Sequence, residues 1–238
     1  MRKEIGERYN AIAEQYAENI RKNFWNRILE YPQTSAEIKK LKLKGRKAVD
    51  VGCGSGRYTA LLLKAGAKAW GIDNSKGLIG IARREVKGAE FKAGDACDTK
   101  YPSGFFDAAF SALVLEYLDK DRFFREMNRI LKKGGTLLFS MHIPYTELGE
   151  RTKDGTFVFK DYFQEGKFYR HWPSYNTDIC FRHATMQTVV RAMLKNGFTL
   201  TDYIDIRPPK SSRKNFEKDY ERVTRLPPFA LLKLRKAG

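Results

Sequence analysis

Three glycines at spacing two, Gly52, Gly54 and Gly56, follow the apolar run Ala48-Val49-Asp50-Val51 and open a helical pattern. Glycines in that place let the backbone turn sharply and approach a ligand where any Cβ would collide. A small ligand is therefore expected over this loop, which also holds Cys53. A dinucleotide site spaces its glycines G-x-G-x-x-G, and here the third comes one residue early; a P-loop needs Gly-Lys-Ser/Thr, and here Gly56-Arg57-Tyr58 follows. Asp50, two positions before the first glycine, would repel a pyrophosphate and suits a ligand carrying an ammonium and a sulfonium.

Two further acids extend the pattern. Asp73 ends the run Trp70-Gly71-Ile72-Asp73, where a carboxylate with Asn74 beside it can accept from both hydroxyls of a ribose. Asp95, in Ala93-Gly94-Asp95-Ala96, ends the next run and can accept from an exocyclic amino group. One such acid alone is as often a helix cap or turn residue. Three at successive strand ends read as a ladder along one rim.

The elements that must hold that rim alternate. Apolar runs of strand length at 67–72, 89–93, 105–112 and 135–141 are separated by helix-like segments at 57–65, 75–87 and 119–132. Such alternation argues for a parallel sheet with helices on both faces, and right-handed crossovers put every strand's carboxyl end on one side. Before the glycines, Ile5, Tyr9, Ile12, Tyr16 and Ile20 predict one amphipathic helix over Ile5–Leu29, broken at Tyr31-Pro32-Gln33, with a second short helix over Ser35–Leu43. After Pro144 the stretch 145–182 is rich in aromatics and turn formers (Thr152-Lys153-Asp154-Gly155, Phe157, Phe159, Trp172, Tyr175), which predicts a β-rich lid or insertion. Thr185–Asn196 reads as a helix capped by Thr185, 198–206 as a strand, Arg207–Pro228 as a basic loop, and Phe229–Leu234 as a closing strand.

The length of 238 residues suits one large domain, or one with a small appendage. With 42% apolar and 13% aromatic residues the chain can build a core and is excluded from the disordered class. No stretch approaches the length of a membrane span and the amino terminus lacks a signal-like apolar core, so a cytoplasmic protein with no membrane partner is expected. Cys53, Cys97 and Cys180 match no zinc spacing and are odd in number, so reduced thiols and no metal are expected. The formal charge of +17, from 45 Lys+Arg against 28 Asp+Glu, favours anionic partners.

The block Lys47–His142 resembles the class I S-adenosylmethionine-dependent methyltransferases, in particular the ubiquinone/menaquinone-biosynthesis-type group. The resemblance is carried by AVDVGCGSGRY at 48–58, GIDNS at 71–75, AGDA at 93–96, FDAAFSALVLEYL at 106–118 and REMNRILKKGGTLLFSMH at 125–142. It implies an α/β, Rossmann-like, doubly wound seven-stranded sheet with an antiparallel last strand, an N-terminal helical cap, and a β-rich insertion after the fifth strand. It also implies S-adenosylmethionine as cofactor, with Gly52, Gly54 and Gly56 at its methionine part, Asp73 at the ribose, Asp95 and Ala96 at the adenine edge, and Ser111 and Ala112 flanking it. Tyr9 and Tyr16, seven apart and so on one helical face, lie in a segment similar to the helix that folds over the cofactor in that group; both also suit core anchors. In much of the group a histidine follows the fourth strand where this chain has Glu116. The resulting division is a cap over 1–46, a cofactor core over 47–144, an acceptor lid over 145–182, and a part completing the sheet over 183–238.

Methyl transfer from a sulfonium is an in-line displacement that asks for alignment, exclusion of water and, for a poor nucleophile, a base. Of the three histidines, His142 at the rim and His183 before the Thr185 helix are the expected bases. The expected acceptor is a small molecule. A tRNA or rRNA acceptor held by the cations of Lys39–Lys47 and of the loop after Arg207 is the rival, and a non-catalytic binder of the cofactor fold is the third reading. Acids Glu217, Asp219 and Glu221 interleave that basic loop, and charge-rich surfaces also occur in heat-adapted proteins. The oligomeric state is not legible in the sequence.

Overall fold

A computed structural model of the chain describes residues 2–152, 156–159 and 161–238. The amino-terminal segment is not one helix. It comprises α1 (Arg2–Ala11), α2 (Ala13–Asn19), a π-helical stretch Phe24–Glu30 and α3 (Tyr31–Lys40). The three-and-four spacing of apolar residues persists through the bends, with α1 and α2 packing on Leu78 and Ile81 of the later helix at 76–85, and Phe24, Leu29 and Ile38 joining the cluster around Leu61 and Leu62. Asn23 starts the π-helical stretch, its side chain accepting from Asn26 N at 2.7 Å. Pro32, expected as a breaker, lies in the first turn of α3, where its missing N–H has no partner to lose.

The core then alternates as expected: β1 (Lys47–Val51), α4 (Arg57–Lys64), β2 (Lys68–Asp73), α5 (Lys76–Glu85), β3 (Glu90–Ala93), β4 (Phe106–Ala112), α6 (Lys120–Ile130) and β5 (Leu131–His142). Ser75 and Asp119 cap α5 and α6 by accepting from Leu78 N and Arg122 N. The insertion contributes two hairpins, β6 (Gly149–Arg151) with β7 (Phe157–Phe159), and β8 (Gly166–Trp172) with β9 (Thr177–His183). Lys153, Asp154 and Gly155, expected from the sequence as turn formers, lie outside the described residues. The chain ends with α7 (Met186–Lys195), β10 (Phe198–Asp205), α8 (Glu217–Arg225) and β11 (Phe229–Lys236). Thr185 caps α7 by accepting from Thr188 N.

The expected loop over 207–228 thus contains α8. Its polar sequence buries only Val223, too little apolar area to mark a helix by periodicity.

The seven-stranded sheet has the order β3-β2-β1-β4-β5-β11-β10. Strands β1 to β5 pair in parallel, and β11 runs antiparallel between β5 and β10. The last strand is therefore interior and not an edge. One face is covered by Phe123, Phe124 and Met127 of α6 with Val189 and Met193 of α7; the other by Ile38 of α3, Leu61 and Leu62 of α4, and Val223 of α8. The strand order reverses between β1 and β4, and their carboxyl ends form the crevice where open α/β sheets receive ligands.

Candidate functional site

A cavity opens at that switch point. Its floor is Gly52 and Gly54 after β1, Ile72 and Asp73 at the end of β2, Gly94, Asp95 and Ala96 after β3, and Ala112 and Leu113 at the end of β4. Its roof is Ile5, Gly6, Tyr9 and Tyr16 from the cap. Val114, Tyr117, Leu118 and Leu78 close the sides.

The glycines have separate tasks. All three sit in the left-handed region, at φ +77° for Gly52, +52° for Gly54 and +84° for Gly56, where a side chain is strained. A Cβ on Gly52 would stand 2.3 Å from Val114 Cγ2, so this glycine permits the β1 and β4 loops to touch. A Cβ on Gly54 meets nothing within 4 Å; it would project into open space. Gly56 starts α4 and packs against Val86, Ala82 and Phe91, away from the cavity.

Two of the three acids reach the cavity. Asp73 accepts from Gly54 N through Oδ2 and from Ser75 N through Oδ1, both at 2.8 Å, so it ties the glycine loop to the start of α5. Burial raises its pKa against the pull of these backbone donors. Asp95 accepts from Cys97 N at 2.8 Å, which turns the loop after β3. Asp50 lies elsewhere. It is 1% exposed, outside the cavity lining, and accepts from Thr59 Oγ1 at 2.7 Å, and burial pushes its pKa up to about 7. Its carboxyl underpins the first turn of α4 instead of facing a ligand.

Cys53 and Ser111 are also outside the lining. Cys53 is buried with Ile79, Ala82 and Phe91, and burial pushes its thiol pKa up. Ser111 Oγ donates to Val51 O at 2.8 Å and joins β4 to β1. Asn74, Ala96 and Ala112 do line the cavity.

The cap is latched to the core by Asn10, whose Oδ1 accepts from Ser75 Oγ at 2.8 Å and from Gly77 N at 2.9 Å. Gly6 permits the close approach of α1, since a Cβ there would be 2.9 Å from the Asn74 side chain. Tyr9 and Tyr16 pack edge to face with centroids 5.0 Å apart, and both contact Trp172 of the insertion at about 6 Å. The Tyr9 and Tyr117 hydroxyls lie 3.3 Å apart. Arg8 donates to Thr177 Oγ1 at 3.3 Å and Gln15 Nε2 to Ser174 O at 3.3 Å, so cap and insertion meet over the cavity. The tyrosines thus both anchor the cap, on Ala13, Ala17, Leu78 and Ile81, and roof the cavity.

The two expected bases differ. His183 is buried with Nδ1 2.6 Å from Glu147 Oε2 and Nε2 2.7 Å from Tyr162 O. Burial opposes its charge, yet these acceptors outweigh burial and hold its pKa above the ordinary value. Both ring nitrogens are engaged by acceptors and the residue lies outside the cavity lining, so the geometry does not place His183 as a base. His142, half-buried at the end of β5, is driven the other way: burial and the Arg170 guanidinium lower its pKa to about 4, leaving a neutral ring. Its Nε2 is 3.4 Å from Glu116 Oε1.

Sequence reasoning missed the apolar walls Ile5, Leu78, Leu113, Val114 and Leu118, which carry no chemical signature, and Tyr117. The one signal for Tyr117 was its place beside Glu116 in the turn after β4.

The methyltransferase domain family matches residues 49–139, from β1 through most of β5. The ubiquinone biosynthesis O-methyltransferase of Methylococcus capsulatus is 39% identical over 41% of this chain and 44% of that enzyme, so this match spans under half of either. The demethylmenaquinone methyltransferase of Thermotoga maritima is 25% identical over 81% of this chain and 87% of that one. Among solved structures, an S-adenosylmethionine-dependent methyltransferase from Mesorhizobium loti superposes with a TM-score of 0.77 at 26% identity, over 87% of this chain and 97% of that one.

Proposed function

The chain belongs to the class I S-adenosylmethionine-dependent methyltransferases, and from that premise we propose that it methylates a small-molecule acceptor seated between the cap and the insertion. The observation that carries this reading is the open space over Gly54 beside the Asp73 carboxylate, at the point where the strand order reverses. When bound, S-adenosylmethionine supplies an electrophilic methyl group for in-line displacement. Asp73 keeps lone pairs beyond its backbone donors and would accept from the ribose hydroxyls. Asp95 and Ala96 would border the adenine, and Gly52 and Gly54 the methionine part. Tyr9, Tyr16 and Tyr117 would exclude water from the reacting centre and narrow the approach of the acceptor.

The relatives named for ubiquinone and demethylmenaquinone make small ring-bearing acceptors the first class to test. The cations divide between the two rims: those after Arg207 follow the carboxyl end of β10, on the rim of the cavity, and a second set lies on the opposite side. Lys40, Lys42, Arg46, Lys233 and Arg235 line one groove, and it lies at the amino end of β1, the far rim from the cavity. The five residues of β1 separate the two rims by roughly 15 Å, at about 3.3 Å per residue.

The test is to add S-adenosylmethionine labelled in its methyl group, with the protein, to an extract of source cells. Label in a small-metabolite fraction is expected; label in RNA overturns the choice of acceptor.

A further inference from the structure

The face of the sheet beneath α3, α4 and α8 is apolar only as far as those helices cover it. On β11 that face carries Phe229, Leu231, Lys233 and Arg235 in alternation. Phe229 and Leu231 are buried with Ile38 and Val223, whereas Lys233 is half-buried and Arg235 exposed. On the opposite face Ala230, Leu232 and Leu234 are buried throughout. One row of the register runs Ala48, Ala108, Thr136, Arg235, from β1 through β4 and β5 to β11. At its uncovered part the end of α3 and the chain after it form a second wall with Lys40, Lys42 and Arg46, and a groove of about 280 Å³ lies between. Thr201 borders it as the extra residue of a bulge in β10, and its hydroxyl donates to Lys233 O at 2.9 Å.

The charge of this groove is one-sided. Five cations line it and no acid does. Lys40 pairs with Glu37 and lies in the field of Asp202, while Arg46 lies in that of Asp107, whose Oδ1 is taken by Lys132 at 2.7 Å. Among the described residues Lys42, Arg46, Lys233 and Arg235 make no side-chain ion pair. An uncovered sheet face needs polar side chains but not side chains of one sign, which repel each other.

We propose that this groove holds the phosphate backbone of a single nucleic-acid strand, as an anchoring surface separate from the cavity. Four cations without a counter-charge exceed the charge of one phosphate group, about −2, and exposed Lys44 and Lys133 continue them along the same rim. The cations sit in a concavity, which a planar layer of lipid headgroups does not enter. A protein partner would find no exposed apolar anchor, since the apolar residues of the wall are Leu41, half-buried, and Leu234, buried. A phosphodiester strand asks only for the charge. With no aromatic residue in the lining the bases have no platform to stack on, so binding is independent of sequence. The strand is a ligand on the far rim and not the methyl acceptor, so this surface goes beyond the methyl transfer proposed above and does not depend on it.

Fluorescence anisotropy with a labelled single-stranded RNA, read between 50 and 200 mM salt, tests the assignment. For wild type, log K should fall linearly with log salt, by about 0.7 for each phosphate neutralised. K233Q/R235Q should lessen that slope by about 1.4 and weaken binding on the order of tenfold at 100 mM salt. K233R/R235K should bind as wild type does, as should RNAs of different sequence. K214Q/K218Q, which removes two exposed cations from the cavity's side of the sheet, should keep both slope and affinity. All three variants should bind S-adenosylmethionine as wild type does, so that loss of RNA binding and failure of the cofactor reading are told apart. No salt-dependent RNA binding by wild type, equal losses in K233Q/R235Q and K214Q/K218Q, or binding of tripolyphosphate without RNA overturns the proposal.

Discussion

His183 in β9 and Glu147 after β5, 2.6 Å apart between Nδ1 and Oε2, form a buried pair that ties the second hairpin of the insertion to the segment leaving β5. The folded-state pKa of His183 is raised above its ordinary 6.5. Its contribution to stability is therefore full below about pH 6.5 and is lost as pH rises through the raised value. H183Q leaves Glu147 buried without its cation, a change that costs about 3 kcal/mol. Denaturant unfolding at pH 5.5 and pH 9 should show a wild-type advantage over H183Q that is larger at the lower pH. An advantage that grows with pH contradicts the pairing.

Gly52 and Gly54 separate stability from binding. G52A drives a Cβ into Val114 and should lower stability by about 2 kcal/mol or more, from strain and overlap combined. G54A carries the strain of a left-handed backbone alone, about 1 kcal/mol, and places its methyl in the open cavity. Thermal unfolding and cofactor titration of the pair should rank G52A as the less stable variant. G54A should lose more affinity than its stability loss accounts for.

Asp50 is predicted to be structural. D50N keeps an acceptor for Thr59 and leaves the cavity lining intact, so cofactor affinity should stay within about threefold of wild type. The raised pKa of Asp50 means that the folded state favours its protonated form. The resulting stability is present below pH 3.8 and is lost as pH rises toward about 7. Unfolding curves should show D50N gaining on wild type between pH 5 and pH 7.5. A large affinity loss in D50N would restore it to the binding site.

Asn10 holds the cap. N10A removes the acceptor for Ser75 Oγ and Gly77 N, a loss of about 1–2 kcal/mol. Hydrogen exchange should quicken in α1 and at the start of α5, with protection of β1 and β4 unchanged. Quickening throughout the sheet contradicts a local latch.

The sheet, the glycine loop and the cavity-facing role of Asp73 were legible in the sequence, because alternating apolar runs, glycine spacing and an acid at a strand end are local signals. The fate of Asp50 was not. Alternation along a strand cannot say which neighbour a side chain meets, and Thr59, nine residues on in α4, decides it. The same limit hid the state of His183, fixed by Glu147 thirty-six residues earlier and by the Tyr162 carbonyl. The bends at Ile12 and Ile20 were hidden too, since apolar spacing survives a bend that keeps one face on the core.

The central claim is that the Asp73 rim and the bare loop at Gly54 hold S-adenosylmethionine. Titration calorimetry of wild type and D73N with that compound tests it most directly. Wild type should bind one equivalent with a Kd on the order of micromolar, and D73N should bind about ten to a hundred times more weakly, the range for losing hydrogen bonds to a charged group. Equal affinity in the two proteins, or no binding by wild type, contradicts the claim.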